Sequence, residues 1–339
     1  MALHLEAEVL ELTTRHPFLI ARGGQALHHT VWVRVRDDDG CVGWGEAAPT
    51  TYYGESPETV LAALKLYAPH LPRDPFDLES TERALRNTLA DNPSARAAVS
   101  TALHDLVGKR LGVPLYRLWG LDPAATPIST FTIGLDTADK MRAKVLEAEP
   151  YPVLKVKLGT NRDDEILRTI RGATDKELRV DANCGWTRKQ AIRMLPMLEE
   201  FGVTVLEQPL PAHDREGLAA VTRAARIPII ADESCLVATD IPPLVGVVDG
   251  INIKLAKCGS LREALRMIAV ARAHGMMVMV GCMIESSIAI TAAAHVTPLV
   301  DIVDLDGAAL LASDPFEGAT IEQGRIVLPS GPGLGVRAR

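Results

Sequence analysis

The sequence predicts an α/β fold in which a barrel of repeated βα units follows a mixed α+β region. From about residue 128, short apolar strands alternate with amphipathic helices, a pattern typical of a parallel sheet. Polar or small residues follow at intervals of 22 to 28 residues, namely Gly134, Lys157, Asp181, Glu207, Asp232, Lys254, Cys282 and Asp304. Eight positions about one βα unit apart predict a barrel of seven or eight units.

The first third of the chain lacks this repeat. Leu3 to Leu12 and Thr30 to Val35 alternate apolar and polar residues, as half-buried antiparallel strands do, and Cys41 to Trp44 could form a third strand. A helix is predicted from Pro93, with Asn92 as its N-cap, to the residue before Gly112. These elements indicate an α+β unit.

Composition excludes several classes of function. With 339 residues, 47% of them hydrophobic, the chain can form a sizeable core. Its net charge of -7 argues against nucleic acid or an anionic membrane as the main partner, so we expect a small-molecule substrate. We expect neither a signal peptide nor a membrane span. Cys41, Cys184, Cys235, Cys258 and Cys282 form no Cys-x-x-Cys pair, which predicts a cytoplasmic location.

In a barrel, the carboxyl ends of all strands meet at one mouth, so residues at those ends share a pocket. Lys155 and Lys157 fall on one face of their strand, because side chains alternate along it. The same two-residue step recurs in Asn252 with Lys254 and in Asp304 with Asp306. Three strands are thus predicted to direct paired polar groups inward.

Three carboxylates end consecutive predicted strands: Asp181, Glu207 and Asp232. Carboxylates that converge without a counter-charge raise one another's pKa and incur a desolvation penalty. A divalent cation removes this conflict. Oxygen ligands without His or Cys favour Mg²⁺, with Mn²⁺ as an alternative, over zinc.

Lysines flank this acidic group along the chain, with Lys155 and Lys157 one unit before it and Lys254 one unit after it. We expect like-charge repulsion from Lys155 to lower the pKa of Lys157, and a nearby cation to lower the pKa of both Lys157 and Lys254, so that they can accept protons. For Lys257 or Lys155 taken alone, an ordinary surface lysine at a strand end is a common alternative. A metal-independent Schiff-base lyase and a non-catalytic binding barrel remain alternatives.

These segments, with Val42 to Glu46, Asp105 to Lys109 and Pro332 to Gly335, resemble the enolase superfamily and its muconate-cycloisomerase subgroup. The resemblance covers nearly the whole chain. It implies a modified TIM barrel over residues 121–315, a capping domain over 1–120, and a segment 316–339 that returns to the cap. One departure is Cys258-Gly259-Ser260, where the family usually has a Gly pair.

Asp304-Leu305-Asp306 resembles the Asp-x-Asp of dipeptide epimerases, where two acids hold the substrate ammonium. The resemblance implies Mg²⁺-dependent epimerisation of an L,L-dipeptide such as L-Ala-L-Glu, through an enediolate that Lys155 stabilises, with Lys157 and Lys254 as bases. o-Succinylbenzoate synthase, N-acylamino-acid racemase and muconate cycloisomerase are the alternatives.

Further substrate-binding residues are expected in Cys282 and in two loops of the cap. These loops are Arg15 to Gly24, with Arg22, and Thr50 to Glu55, with Tyr53. Arg15 and Arg22 could pair with an acidic substrate side chain, whereas His295 is expected to be structural. The sequence leaves homo-oligomerisation and the preferred dipeptide open.

Overall fold

The computed structural model describes residues 2–339, and an antiparallel sheet with helices packed on one face forms its first part. The elements are β1 (Leu3–Ile20), β2 (Gly23–Asp37), β3 (Val42–Ala47), α1 (Pro57–Tyr67), α2 (Leu78–Thr88), α3 (Pro93–Leu111) and the short α4 (Leu115–Leu118). Val31, Val33 and Val35 of β2 form a core with residues of the three longer helices. We call this part the cap.

The strands of the cap are longer than the sequence pattern predicts. The pairing of β1 with β2 continues past Thr13 to Ile20, after a register shift between Thr13 and Phe18. The predicted loop Arg15 to Gly24 is therefore wrong, because most of it is the paired end of a hairpin whose turn is Ala21 and Arg22. The third strand starts at Val42 and runs to Ala47 rather than ending at Trp44.

The predicted helix at Pro93 is present as α3, which begins and ends where expected. Asn92 occupies the N-cap position, although its side chain makes no capping hydrogen bond. The helix is buried nearly all round rather than on one face, because it lies between β3 and helices of the following part. A Cβ on Gly43 or Gly45 would overlap a carbonyl oxygen of α3, so glycine permits this close approach.

The second part is a parallel barrel. Its elements are β4 (Phe131–Ile133), α5 (Ala138–Glu147), β5 (Val153–Lys157), α6 (Asp163–Arg171), β6 (Glu177–Asp181), α7 (Arg188–Glu200), β7 (Val203–Glu207), α8 (Arg215–Ala224), β8 (Ile229–Ala231), β9 (Gly250–Ile253), α9 (Leu255–Cys258), α10 (Leu261–Ala273), β10 (Met277–Gly281), α11 (Ser287–Ala294) and β11 (Ile302–Asp304). Two 3-10 turns, rather than an α-helix, connect β8 to β9.

The eight strands of this sheet follow chain order from β4 to β11. A parallel bridge between Ser129 and Val303, with a hydrogen bond from the Thr130 amide to the Val303 carbonyl, brings the first and last strands together. The ring is thus nearly closed, and the α/β barrel prediction is confirmed. Each of the eight predicted positions ends its strand or directly follows it.

Side chains alternate between the two faces of the barrel wall. Leu154 and Val156 of β5 join the core beneath the outer helices, while Lys155 and Lys157 face inward. Below the inward-facing polar groups, an apolar cluster that includes Val205 and Met279 fills the barrel interior. A packed interior leaves the mouth as the place where a substrate can bind.

The last residues run back along the cap. This segment contains β12 (Phe316–Glu317), β13 (Thr320–Glu322), β14 (Arg325–Val327) and β15 (Arg337–Ala338). Gly333 pairs with Pro114 after α3, and the Leu334 amide donates to the Asp105 carboxylate. The boundaries 1–120, 121–315 and 316–339 stay a prediction. Among residues 2–339, no helix has both the length and the apolar character needed to cross a membrane.

Candidate functional site

A cavity of about 660 Å³ lies between the barrel mouth and the cap. Its wall includes nine predicted site residues: Arg22, Tyr53, Lys155, Lys157, Asp232, Lys254, Cys282, Asp304 and Asp306. Asp181 and Glu207 are fully buried at the ends of β6 and β7, next to this wall. The barrel thus brings together residues that are up to 284 positions apart in the sequence.

The three predicted metal ligands form a compact group. Carboxylate oxygens of Asp181, Glu207 and Asp232 lie within 4.8 Å of one another, and all three side chains are buried. Asn252 on β9 donates a hydrogen bond of 2.8 Å to Glu207 Oε1 and so helps to orient that carboxylate. The three carboxylates therefore converge, as their positions at the ends of consecutive strands predict.

Each flanking lysine contacts one end of this acidic group. Lys157 Nζ lies 2.7 Å from Asp181 Oδ2, and Lys254 Nζ lies 2.7 Å from Asp232 Oδ2. Lysine ammonium groups therefore balance part of the negative charge of the buried carboxylates.

Lys155 occupies the space between the acidic group and β11. Its Nζ lies 2.6 Å from both Glu207 Oε2 and Asp304 Oδ2, and 3.3 Å from Asp181 Oδ2. Thr130 also donates a short hydrogen bond to Asp304. Asp304 is thus held by two donors of the protein itself.

Asp306 differs from Asp304 in its surroundings. It follows the end of β11, and its Oδ2 accepts a hydrogen bond of 2.6 Å from the backbone amide of Thr132 on β4. Burial and the negative charge of Asp304 raise its pKa to about 7. A cation placed beside Asp306 would favour its ionised form.

The pKa shifts of the other acids show how crowded the site is. Burial and the charge of Asp181 raise the pKa of Glu207 to about 7. Burial also acts to raise the pKa of Asp181, but Lys157 and Lys155 outweigh it and lower that pKa to about 2. The charge balance of the group therefore depends on each lysine beside it.

The protein's own charges oppose the lowered pKa that we expect for Lys254 beside a bound cation, which stays a prediction. Burial acts in that direction, but the nearby carboxylates of Asp232 and Glu207 outweigh it and raise the pKa. The pKa of Lys155 is raised for the same reason, by Asp304, Glu207 and Asp181 against the effect of burial. Among the protein's own groups, close opposite charges therefore dominate over burial for both lysines.

The donor set fits a Mg²⁺ ion. All three groups are carboxylates, which supply the hard oxygen ligands that this ion prefers, with Mn²⁺ as an alternative. Their oxygens are close enough to share one ion. Histidine is not part of the group, which argues against zinc.

Arg22, at the turn of the cap hairpin, reaches the cavity wall. Its guanidinium lies 2.8 Å from Glu233 Oε1, donates 2.7 Å to the Asn183 carbonyl, and packs 4.2 Å above the ring of Tyr52. Arg15 instead donates to the Ala309 carbonyl and is not part of this wall. Of the two predicted arginines, Arg22 is the one positioned to face a substrate.

Cys282 and Tyr53 border the cavity in neutral form. The Cys282 thiol donates a hydrogen bond of 3.3 Å to the Asp304 carbonyl, and burial with nearby Asp306 raises its pKa well above the ordinary value. Burial and the charge of Asp232 likewise raise the pKa of Tyr53. Both side chains therefore offer polar but uncharged contacts.

Sequence reasoning missed several residues that support this site. Thr130 and Thr132 hold the two acids of β11, and Glu233 pairs with Arg22. Lys257, which was given no role in the predicted site, is buried against Asp232. Its position three residues after Lys254, on the first turn that follows an apolar strand, was the signal that could have identified it.

Two family models match the chain. Residues 5–120 match "Mandelate racemase / muconate lactonizing enzyme, N-terminal domain", and residues 136–339 match "Enolase C-terminal domain-like". The chain belongs to the enolase superfamily. Within that superfamily, its two matched regions correspond to the cap and to the barrel with the returning segment.

Relatives in this superfamily carry epimerase names. An "L-Ala-D/L-Glu epimerase" of Bacteroides thetaiotaomicron is 44% identical over 96% of this chain and 85% of the relative. An "L-Ala-D/L-amino acid epimerase" of Maribacter sp. is 40% identical over 99% of both chains. The crystal structure of a dipeptide epimerase from Enterococcus faecalis, complexed with Mg and L-Leu-L-Tyr, superposes with a TM-score of 0.94 at 33% identity and covers 100% of both chains.

Proposed function

We propose that this protein is a Mg²⁺-dependent dipeptide epimerase that inverts the α-carbon of the C-terminal residue of an L,L-dipeptide. One observation carries the proposal, which is the placement of a buried carboxylate triad between two lysines on opposite strands. The epimerase names of relatives up to 44% identical support the same reaction.

Asp181, Glu207 and Asp232 would hold the Mg²⁺ ion. When bound, the ion supplies positive charge to the substrate carboxylate, which makes the adjacent α-proton more acidic. The fit rests on three buried carboxylates within reach of one ion. Lys155, which contacts Asp181 and Glu207 of the triad, adds a fixed positive charge. This charge lies where negative charge develops when the substrate loses its α-proton and becomes an enediolate.

Lys157 and Lys254 are the proposed acid and base. Their strands, β5 and β9, are separated by three others in an eight-stranded ring, so the two lysines approach the cavity from opposite sides. One would accept the α-proton from one face of the carbon, and the other would donate a proton to the opposite face. Inversion follows from this arrangement.

Asp306 and Asp304 are proposed to bind the free ammonium of the dipeptide. Asp306 faces the cavity and accepts hydrogen bonds from the neutral donors of Thr132, whereas Asp304 is bonded to Lys155 and Thr130. A charge-assisted bond from an ammonium suits Asp306 best. This feature favours a dipeptide over the N-acylated or cyclising substrates of the alternative activities, which carry no ammonium.

The side chain of the inverted residue would lie near Arg22, Tyr53 and Cys282. The relatives differ in their named substrates: L-Ala-D/L-Glu, L-Ala-D/L-amino acids and hydrophobic dipeptides. L-Ala-L-Glu is therefore one member of the proposed substrate class. The cytoplasmic location and the homo-oligomer stay predictions.

The proposal is tested by metal depletion. Chelation should abolish epimerisation of L-Ala-L-Glu, and added Mg²⁺ should restore it, whereas Glu207→Gln should remain inactive at the same Mg²⁺ concentration. Glu199→Gln, on α7 outside the cavity, is the matched control and should behave as wild type. Full turnover in excess chelator by protein without bound metal would contradict the proposal.

A further inference from the structure

Lys257 is a lysine whose side chain is 0% exposed and whose ammonium has a complete set of acceptors. Its Nζ donates hydrogen bonds of 2.6 Å to the Asp232 carbonyl, 3.1 Å to the Cys235 carbonyl and 2.9 Å to the Asn252 carbonyl. It also lies 2.5 Å from Asp232 Oδ1. A buried ammonium with three backbone acceptors has little freedom to move.

Two lysines thus contact opposite oxygens of one carboxylate. Lys254 contacts Asp232 Oδ2 and borders the cavity, while Lys257 contacts Oδ1 from behind and does not border it. The backbone carbonyls that hold Lys257 come from the ends of both β8 and β9. Its position is therefore tied to the two strands that carry Asp232 and Lys254.

We propose that Lys257 is a positioning residue for the metal site, which fixes the Asp232 carboxylate so that it can serve as a ligand. The inference rests on the proposed metal site. In this arrangement Lys257 stays in place through the reaction, and Lys254 is the lysine that acts on the substrate.

When the Lys257 ammonium is removed, its charge and its hydrogen bonds predict opposite changes in the affinity for Mg²⁺. By Coulomb's law alone, a positive charge beside Asp232 repels Mg²⁺, so its loss would tighten metal binding. Loss of the ammonium also removes a donor from three buried carbonyls and the ion-pair partner from Asp232 Oδ1, a penalty that the segment relieves by moving. If positioning dominates, metal binding weakens, and the sign of the change separates the two roles.

The experiment is calorimetric titration of the metal-free protein with Mg²⁺. Lys257→Met keeps the length of the side chain and removes its charge. Lys144→Met is the matched control, because Lys144 is another buried lysine, paired with Asp136 at 3.0 Å and absent from the wall of the cavity. We expect the Kd for Mg²⁺ to rise at least tenfold in Lys257→Met and to stay within twofold of wild type in Lys144→Met.

An unchanged or lower Kd in Lys257→Met would overturn the positioning role. If Lys257→Met does not fold, as judged by circular dichroism, Lys257→Gln is titrated in the same way, with the same expected rise and the same contrary result. The titration of wild type tests the metal site separately from the role of Lys257. If the wild-type protein binds no Mg²⁺, the proposed metal site itself is overturned.

Discussion

Lys157 ends strand β5 and Lys254 directly follows strand β9, on opposite sides of the eight-stranded ring, and each contacts a different end of the same carboxylate triad at 2.7 Å. The buried acids between them fix the plane in which a bound carboxylate can lie. A substrate α-carbon held in that plane presents one face to each lysine, which is the geometry that inversion requires.

Replacing either lysine with alanine should stop epimerisation, because inversion needs a group on both faces. A general acid or base contributes roughly 10²- to 10⁴-fold, so we expect a loss of at least about 10²-fold in kcat for Lys157→Ala and for Lys254→Ala. Each variant should still exchange the α-proton of one epimer with solvent, measured by NMR in D₂O. Near wild-type interconversion by either variant would exclude the two-base mechanism, and Lys144→Ala is the control.

The acids of β11 predict that the substrate needs a free ammonium. N-acetylation of the dipeptide should lower kcat/KM by about 100-fold, or about 3 kcal/mol, because Asp306 then stays buried without its cation. Asp306→Asn should lower kcat/KM for the free dipeptide and reduce the difference between the two substrates. Asp301→Asn, just before β11, is the control. Equal rates on free and acetylated substrates would favour the racemase or synthase alternatives.

Arg22 predicts a modest preference for an acidic side chain. Its charge is already balanced by Glu233 at 2.8 Å, so an acidic substrate gains only part of the interaction that a free arginine would give. Arg22→Ala should lower kcat/KM for L-Ala-L-Glu about tenfold and change that for L-Ala-L-Leu by less than threefold. Arg15→Ala, outside the cavity wall, should change neither. An unchanged Glu-to-Leu ratio in Arg22→Ala would remove Arg22 from the substrate site.

His295 predicts a loss of stability in mild acid. It is buried, with Nδ1 accepting from the Tyr116 amide and Nε2 donating to the Leu334 carbonyl, and burial lowers its pKa to about 4. The unfolded chain, with a His pKa of about 6.5, binds the proton more readily. The neutral histidine therefore contributes fully to the free energy of unfolding above pH 6.5. About 3 kcal/mol of that free energy is lost as the pH falls towards 4.

Urea unfolding of wild type and His295→Gln between pH 7 and pH 4.5 measures this contribution. The variant should be less stable at pH 7 but should lose less stability on acidification. An identical pH dependence in the two proteins would show that His295 does not titrate on unfolding.

The periodicity of the sequence was sufficient to predict the barrel and the carboxyl end of each of its eight strands. Side chains at Lys157, Asp181 and Glu207 could be placed in one pocket because parallel strands share a direction, so position along the chain determines position at the mouth. Local pattern could not give the length of the β1–β2 hairpin, since its outer part pairs through backbone bonds and carries no strict alternation.

Contacts between residues far apart in the chain could not be predicted from the local sequence pattern either. The contact of Arg22 with Glu233 joins the cap to the barrel across more than 200 residues of sequence, and nothing near either residue specifies the other. Lys257 was not identified for the same reason, because its burial depends on backbone carbonyls at the ends of two different strands. The raised pKa of Lys254 likewise depends on distances that only the folded chain defines.

The most direct test of the account is the isotopic fate of the α-hydrogen during the first turnover in D₂O. An L,L-dipeptide is incubated with the Mg²⁺-loaded enzyme, and the epimers are separated at low conversion and analysed by mass spectrometry. The account predicts that the new epimer carries one deuterium, at the α-carbon of its C-terminal residue, because the proton it receives comes from a second lysine in exchange with solvent. A new epimer that retains its original protium would contradict the two-lysine mechanism.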